Sequence, residues 1–167
     1  EVKGNLEREV KRRIQAKIKE QVMDALIAAT PIEVPKALVQ AESQQLADNA
    51  RRDLEMRGLK TKDIPVDPSW FTEQAERRVK LGLIMAELVK GNALHAKPEQ
   101  VRALVEEMAQ SYEDPSELVR WYYAQPERLA QAEAVVIEDN VVAWVCEKAE
   151  TTDKPVAFDE LMGNNAA

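Results

Sequence analysis

The clearest chemistry in this sequence is non-covalent: large apolar and aromatic side chains recur at helical spacing along two short, successive runs. The set consists of Leu104, Met108 and Tyr112 in the first run and Leu118, Trp121 and Tyr122 in the second. A spacing of three or four residues places side chains on one face of an α-helix. Each run therefore predicts an apolar helical face that is suited to binding another apolar surface.

A corner must separate the two runs. Pro115 biases Asp114 away from helical backbone angles, so the first helix has to end before this point. Pro115 itself fits the first turn of a new helix, where its missing N–H would have no intrahelical partner. The Asp114 carboxylate is then placed to cap that helix. The two runs are therefore predicted to be short helices joined by a break, and together they indicate a binding surface.

Apolar periodicity and helix-terminus signals predict helices along most of the chain. The predicted elements are helices over 3–29, 35–57 and 68–90, the pair within 104–123, a sixth helix over 126–149, an extended stretch over 151–156 and a short turn at 158–162. The third helix is the most apolar, so several neighbours should cover it, and Gly82 should allow close helix contact. Helices two and three, and the 104–123 pair with the sixth helix, should form two thin antiparallel hairpins.

Catalytic and metal-binding chemistry is not indicated by the sequence. His95 has no second His or Cys at ligand spacing, which favours a solvated loop histidine. Cys146 is expected to be a buried, inert thiol within a helix. Glu106 and Glu107 are expected on a solvated helix face rather than as an acid/base pair. We therefore predict no enzyme activity, no metal and no cofactor.

The composition restricts the partners and the compartment. With 45% hydrophobic and 32% charged residues and few aromatics, the chain has the content of a soluble helical protein. Its formal charge of −7 opposes binding to nucleic acid or to anionic membranes. A single cysteine and the lack of a membrane-spanning run or signal segment favour the cytosol. Because the first residues already have a helical pattern and no initiator Met precedes them, we expect a segment of a longer protein.

Four motifs occur in order along the chain and cover almost all of it. They are Ile32-Glu33-Val34-Pro35 before Ala37-Leu38-Val39, Gln74-Ala75-Glu76-Arg77-Arg78-Val79 before Gly82-Leu83, Glu106-Glu107-Met108-Ala109 before Tyr112-Glu113-Asp114-Pro115, and Phe158-x-Glu160-Leu161-Met162. In this order the sequence resembles the C-terminal chaperone domain of bacterial trigger factor, a ribosome-associated folding helper.

The resemblance implies a specific all-α architecture. It is an elongated multi-helix domain in which two helical-hairpin arms project from a body and enclose a cradle, a SurA-like peptide-binding fold. On this sequence a single domain would span 1–167, with a leading helix over 1–33, arm one over 34–93, arm two over 97–150, and an extended tail and short turn over 151–167.

The resemblance also implies an ATP-independent chaperone that binds apolar segments of unfolded or nascent polypeptides. The matched substrate-binding positions are Met108, Tyr112, Leu118, Trp121 and Tyr122 on arm two, and Leu46, Leu54 and Met56 on arm one. The family docks on ribosomes and isomerises prolyl bonds through other domains, whose motifs do not occur here, so neither activity is expected of this chain. A weak homodimer is left open.

The residues alone leave two other interpretations open. The same apolar side chains would also suit the internal packing of the hairpins. Alternatively, they would be buried permanently against one partner, which would make the chain a helical scaffold or dimerisation module. A scaffold should saturate at a fixed stoichiometry with one partner, whereas a chaperone should bind unrelated unfolded chains and ignore their folded forms.

Overall fold

The computed structural model describes residues 2–59, 65–110 and 112–163, which form α-helices joined by short loops. The helices are α1 Val2–Ala29, α2 Lys36–Met56, α3 Thr72–Asn92, α4 Pro98–Ala109, α5 Pro115–Tyr123, α6 Pro126–Lys148 and α7 Phe158–Met162. No strand occurs within these described ranges, which confirms the predicted all-α class. None of the helices in the same ranges is both long and apolar enough to cross a bilayer.

Two helix starts differ from the prediction. The third helix begins with a 3-10 turn, Pro68–Phe71, which is capped by the Asp67 side chain: it accepts a hydrogen bond from the Ser69 N–H at 2.8 Å. The fourth helix begins at Pro98, well before the predicted pair at Leu104. Its first turn is closed by Gln100, whose side-chain oxygen accepts from the Lys97 N–H at 3.1 Å. The earlier start adds one buried position, Val101, to the helix.

The third helix also ends two residues later than its predicted end at residue 90. The helix continues to Asn92, whose side-chain amide donates to the Leu88 carbonyl at 3.0 Å. The left-handed residue that follows is Ala93, with φ of 53°. The β-carbon of alanine makes this conformation costly, whereas glycine has no β-carbon and adopts it freely.

We expect Ala93→Gly to stabilise the protein, because glycine adopts the left-handed region without steric cost. The gain should be about 0.5–1 kcal/mol after the greater freedom of glycine in the unfolded chain is subtracted. Ala124→Gly is the matched control, since Ala124 also follows a helix but has φ of −71°. Urea denaturation should show the first variant more stable than the parent and the second less stable. Equal effects of the two substitutions would contradict the argument.

Contacts divide the chain into two compact units. The first unit is Glu1–Met23 with Leu88–Ala167, and the second unit is Asp24–Glu87. The predicted single domain over 1–167 and its division into two arms remain predictions.

In the second unit, α2 runs antiparallel to the start of α3, as predicted. Arg51 donates to the Val66 carbonyl at 3.3 Å, while Glu42, nearer the start of α2, accepts from Arg78, further along α3, at 2.8 Å. The core includes Ala47, Val66, Ala75 and Ile84. This arrangement confirms the predicted pairing of helices two and three.

The middle of α3 is less covered than predicted. Ile84 is buried, whereas Val79, Leu81 and Leu83 are only half-buried. The expected close contact at Gly82 was wrong, because no described atom from beyond its own stretch of helix lies within 4 Å of the position that a β-carbon would occupy there. The apolar side chains around α3 are therefore not covered by other elements on every side.

In the first unit, α4, α5 and α6 pack against one another around a small buried cluster. The cluster consists of Val101, Val105, Ala132 and Val136. Gln100 and Asn140 link α4 to α6, since the Gln100 amide donates to the Asn140 side-chain oxygen at 2.8 Å. The start of α4 thus lies beside the second half of α6, as the second predicted hairpin requires.

The leading helix α1 forms ion pairs with α6 in this unit. The Lys19 ammonium lies 2.7 Å from a Glu138 carboxylate oxygen and 3.6 Å from one of Asp139. Partial burial opposes the charged form of Lys19, but hydrogen bonding and attraction to Glu138 and Asp139 outweigh it and raise the pKa of Lys19. The ammonium therefore stays charged at neutral pH and ties α1 to α6.

Candidate functional site

An open groove lies where α4 and α5 meet, beside α1, with a volume of about 550 Å³. Its lining side chains are Arg12, Met108, Tyr112, Leu118, Trp121 and Tyr122. We call this the corner groove. The structure thus brings together all five arm-two residues that the sequence analysis singled out, and it adds Arg12, which the analysis did not.

The corner itself is built by Asp114. One of its carboxylate oxygens accepts hydrogen bonds from the Ser116 N–H at 3.0 Å, the Glu117 N–H at 3.1 Å and the Ser116 hydroxyl at 2.7 Å. These bonds confirm the predicted cap and fix the start of α5 at Pro115. Bonding to the Ser116 hydroxyl and the Glu117 N–H favours the ionised carboxylate and lowers the pKa of Asp114.

The lowered pKa predicts that the Asp114 cap depends on pH. The pKa of Asp114 is lower in the folded chain than in the unfolded chain. The ionised cap therefore stabilises the fold at pH values above the usual carboxyl pKa of about 3.9, and this stabilisation is lost as the pH falls through the folded pKa. Asp114→Asn keeps an oxygen acceptor without the titration. At pH 7 we expect faster amide exchange at Ser116 and Glu117 in Asp114→Asn than in the parent, with a modest difference. The difference should shrink as the pH falls through the folded pKa of Asp114, and a pH-independent difference would contradict the assignment.

The side chains of the corner groove remain accessible to an incoming molecule. Tyr112 is 60% exposed and Trp121 is 48% exposed. Tyr122 is half-buried, because its ring packs against the α4–α6 cluster while its hydroxyl lies 4.0 Å from the Met108 sulfur. The Trp121 and Tyr122 rings meet edge to face, with centroids 5.3 Å apart and planes at 81°. The groove therefore presents an aromatic and thioether surface supported by a packed interior.

Arg128 contacts Trp121 from α6. Its guanidinium carbon lies 3.6 Å from the centroid of the indole ring, and its Nη1 donates to the Trp121 carbonyl oxygen at 2.9 Å. Neither Arg128 nor Arg12 was predicted from the sequence. No periodic signal marks either residue, because the contact of each depends on how two helices meet.

A second shallow groove borders the corner groove on the acidic side of the corner. Its lining includes the carboxylates of Glu113, Asp114 and Glu117 next to Leu118 and Trp121. The corner groove thus has an acidic neighbour, while Arg12 brings a positive charge to its own lining.

The arm-one residues of the prediction belong to the second unit. Leu46 is only 8% exposed and packs into the core, which corrects the expectation that it contacts a bound chain. Leu54 is half-buried, and Met56, at the end of α2, is 79% exposed. Trp70 in the 3-10 turn is also exposed, although the sequence analysis did not single it out.

The residues considered for other chemistry do not form a site. His95 is exposed, and its backbone carbonyl accepts from Asn140 at 3.4 Å. Cys146 is half-buried, not fully buried as predicted. In the described ranges no group of three His, Cys, Asp or Glu side chains is arranged to hold a metal ion.

Comparisons with known proteins all point to one family. Residues 1–147 match the sequence model of the family described as bacterial trigger factor protein (TF) C-terminus. The chain is 80% identical over 166 residues to the trigger factor of Azoarcus sp. strain BH72 and 77% identical to that of Aromatoleum aromaticum. It is 61% identical over 163 residues to the trigger factor of Dechloromonas aromatica. The matches cover 98–99% of this chain but only 38% of each relative, so the remainder of those proteins has no counterpart in it.

Proposed function

Because the chain belongs to the bacterial trigger factor C-terminal family, we propose that it is a chaperone domain that binds exposed apolar segments of unfolded or nascent polypeptides. Binding needs no ATP, and release is passive. The proposed site of action is the cytoplasm, and contact with the ribosome belongs to parts of the family's proteins that this chain does not match.

The single observation that carries the proposal is the corner groove. An apolar surface held open at a helix corner, with aromatic rings about half exposed, suits a ligand that brings apolar side chains of its own. The groove is broad and open, so it does not select one shape. Met108 adds adaptability, because an unbranched thioether side chain packs against many surfaces.

Magnitudes indicate how tightly such a surface binds. If each engaged side chain removes about 50 Å² of apolar area from water, it contributes about 1 kcal/mol. The five apolar and aromatic side chains of the groove would then provide about 5 kcal/mol before ordering costs, which corresponds to a dissociation constant near the millimolar range. Useful affinity therefore requires one long chain to engage several patches at once. Met56 and Leu54 are proposed as further patches.

A second candidate function, permanent burial against one partner, is favoured by a different surface of the first unit. Leu6, Val10 and Ile14 of α1, with Phe158 of α7, line an almost wholly apolar groove. Leu6, Ile14 and Phe158 are all exposed there. A helical scaffold or dimerisation module would bury such a face in a stable complex.

One experiment separates the two candidates. Two unrelated proteins are prepared as reduced, carboxymethylated chains that cannot refold, and each is titrated with this chain alongside its folded form. The proposed chaperone function predicts weak binding to both unfolded chains, unchanged by ATP, and none to the folded forms. Saturation at a fixed stoichiometry with another copy of this chain, without binding to either unfolded protein, would overturn it in favour of the dimerisation module.

A further inference from the structure

Arg128 contacts Trp121, the largest side chain of the corner groove, without lining the groove itself. Building on the proposed function, we propose that Arg128 is a positioning residue: it holds the Trp121 indole in a fixed orientation so that the ring meets a bound polypeptide as a rigid platform.

Two contacts fix the guanidinium relative to the ring. The guanidinium lies over one indole face at 3.6 Å, and it donates to the carbonyl oxygen of the same residue at 2.9 Å. A planar guanidinium makes both contacts at once, whereas a lysine ammonium has no plane to stack. Arg128 is therefore anchored to the backbone of the residue whose ring it covers.

The remaining surroundings of Trp121 explain why such support matters. Tyr122 touches the ring only through an edge-to-face contact, and about half of Trp121 is exposed. A ring held so loosely would sample several rotamers in solution, and binding a client would have to immobilise it. Stacking by Arg128 restricts the ring before a client binds, so less side-chain freedom is lost on binding. The arrangement leaves the groove side of Trp121 uncovered, since Arg128 is not among the lining residues.

The position of Arg128 is also set by its own helix. Pro126 starts α6 after the short connection from Tyr123, so the first turn of α6 lies directly after the end of α5. Arg128 reaches back across the junction of α5 and α6 to Trp121. The same contact therefore restrains both the ring and the angle at which the two helices meet, and the test must separate these effects.

The test compares five chains: the parent, Arg128→Met, Arg128→Lys, Trp121→Ala and the double variant Arg128→Met with Trp121→Ala. The order of the Trp121 ring is measured in the three chains that keep Trp121, and client binding is measured in all five. Relaxation of the indole ¹⁵N–H signals reports side-chain order, and Trp121→Phe assigns the Trp121 signal. Titration with a reduced, carboxymethylated protein reports capture. Lys148→Met at the end of α6 is the control for removing one positive charge.

We expect Arg128→Met to increase the mobility of the Trp121 indole, while the mobility of the Trp70 and Trp144 indoles stays unchanged. Capture should weaken about three-fold, an effect that should vanish in the Trp121→Ala background. Arg128→Lys should also loosen the ring, although it keeps the charge. Unchanged ring order in Arg128→Met, or an equal loss of capture with and without Trp121, would overturn the proposal. If Trp121→Ala itself binds clients as well as the parent, the proposed function of the groove fails, while the relaxation data still decide the role of Arg128.

Discussion

Combined replacement of Met108, Tyr112 and Trp121 by serine is expected to abolish measurable capture of unfolded chains by the corner groove. Each side chain contributes about 1 kcal/mol of apolar burial, so the triple variant should lose about 3 kcal/mol, or roughly a hundred-fold in affinity. All three are exposed, and removing them leaves the buried cluster beneath them intact. The helical circular dichroism signal and the unfolding midpoint should therefore change little. Titration with a reduced, carboxymethylated protein measures the effect.

A matched control for this variant is the pair Tyr123→Ser and Val135→Ser. Both residues are exposed in the same unit, and neither lines the corner groove. The control should capture unfolded chains as the parent does. A loss of capture in the control as large as in the triple variant would mean that general surface hydrophobicity, and not the groove, determines binding. Collapse of the fold in the triple variant would assign the three residues to internal packing.

Placing a charge in the core of the first unit should have the largest effect on stability. Val105 is 0% exposed at the centre of the α4–α6 cluster. Val105→Asp buries a carboxylate with no cation in that cluster, and we expect it to cost about 4 kcal/mol of folding free energy. The graded variant Val105→Ala should cost about 2 kcal/mol, through lost burial and an incompletely filled cavity. Urea denaturation followed by circular dichroism measures both losses.

Val135→Asp provides the control for this effect. Val135 neighbours the buried Val136 on α6 but is exposed, so the charge remains hydrated and the change should stay within about 0.5 kcal/mol. Val105→Asp should lose client capture together with its structure, which distinguishes it from the triple groove variant. If Val105→Asp were as stable as Val135→Asp, the α4–α6 cluster would not be the core of this unit.

Much of the fold was predictable from the sequence because its signals are local. Four-residue periodicity predicted α1, and the Asp114-Pro115 pair predicted the corner and its cap. These features depend on residues within one or two turns of each other. The start of α4 at Pro98 was missed, although a proline at a first helical turn was again the relevant signal.

The features that could not be predicted depend on which helices meet. Leu46 and Met56 are both apolar residues of α2, yet one is buried and the other largely exposed, because burial depends on which part of the helix its neighbours cover. Arg12 and Arg128 reach Trp121 or its groove from separate helices, so no spacing within a single helix marks them. The apolar groove residues were predictable as a set, whereas their charged surroundings were not.

The most direct test of the central claim is a titration of the methyl-labelled chain with a permanently unfolded protein and with its folded counterpart, followed by NMR of the Met and Leu methyl signals. The account predicts shifts at Met108 and Leu118 with the unfolded protein only, while the buried Leu46 stays unchanged. If neither methyl signal of the corner groove responds to the unfolded protein, the groove does not bind polypeptides and its side chains serve packing alone.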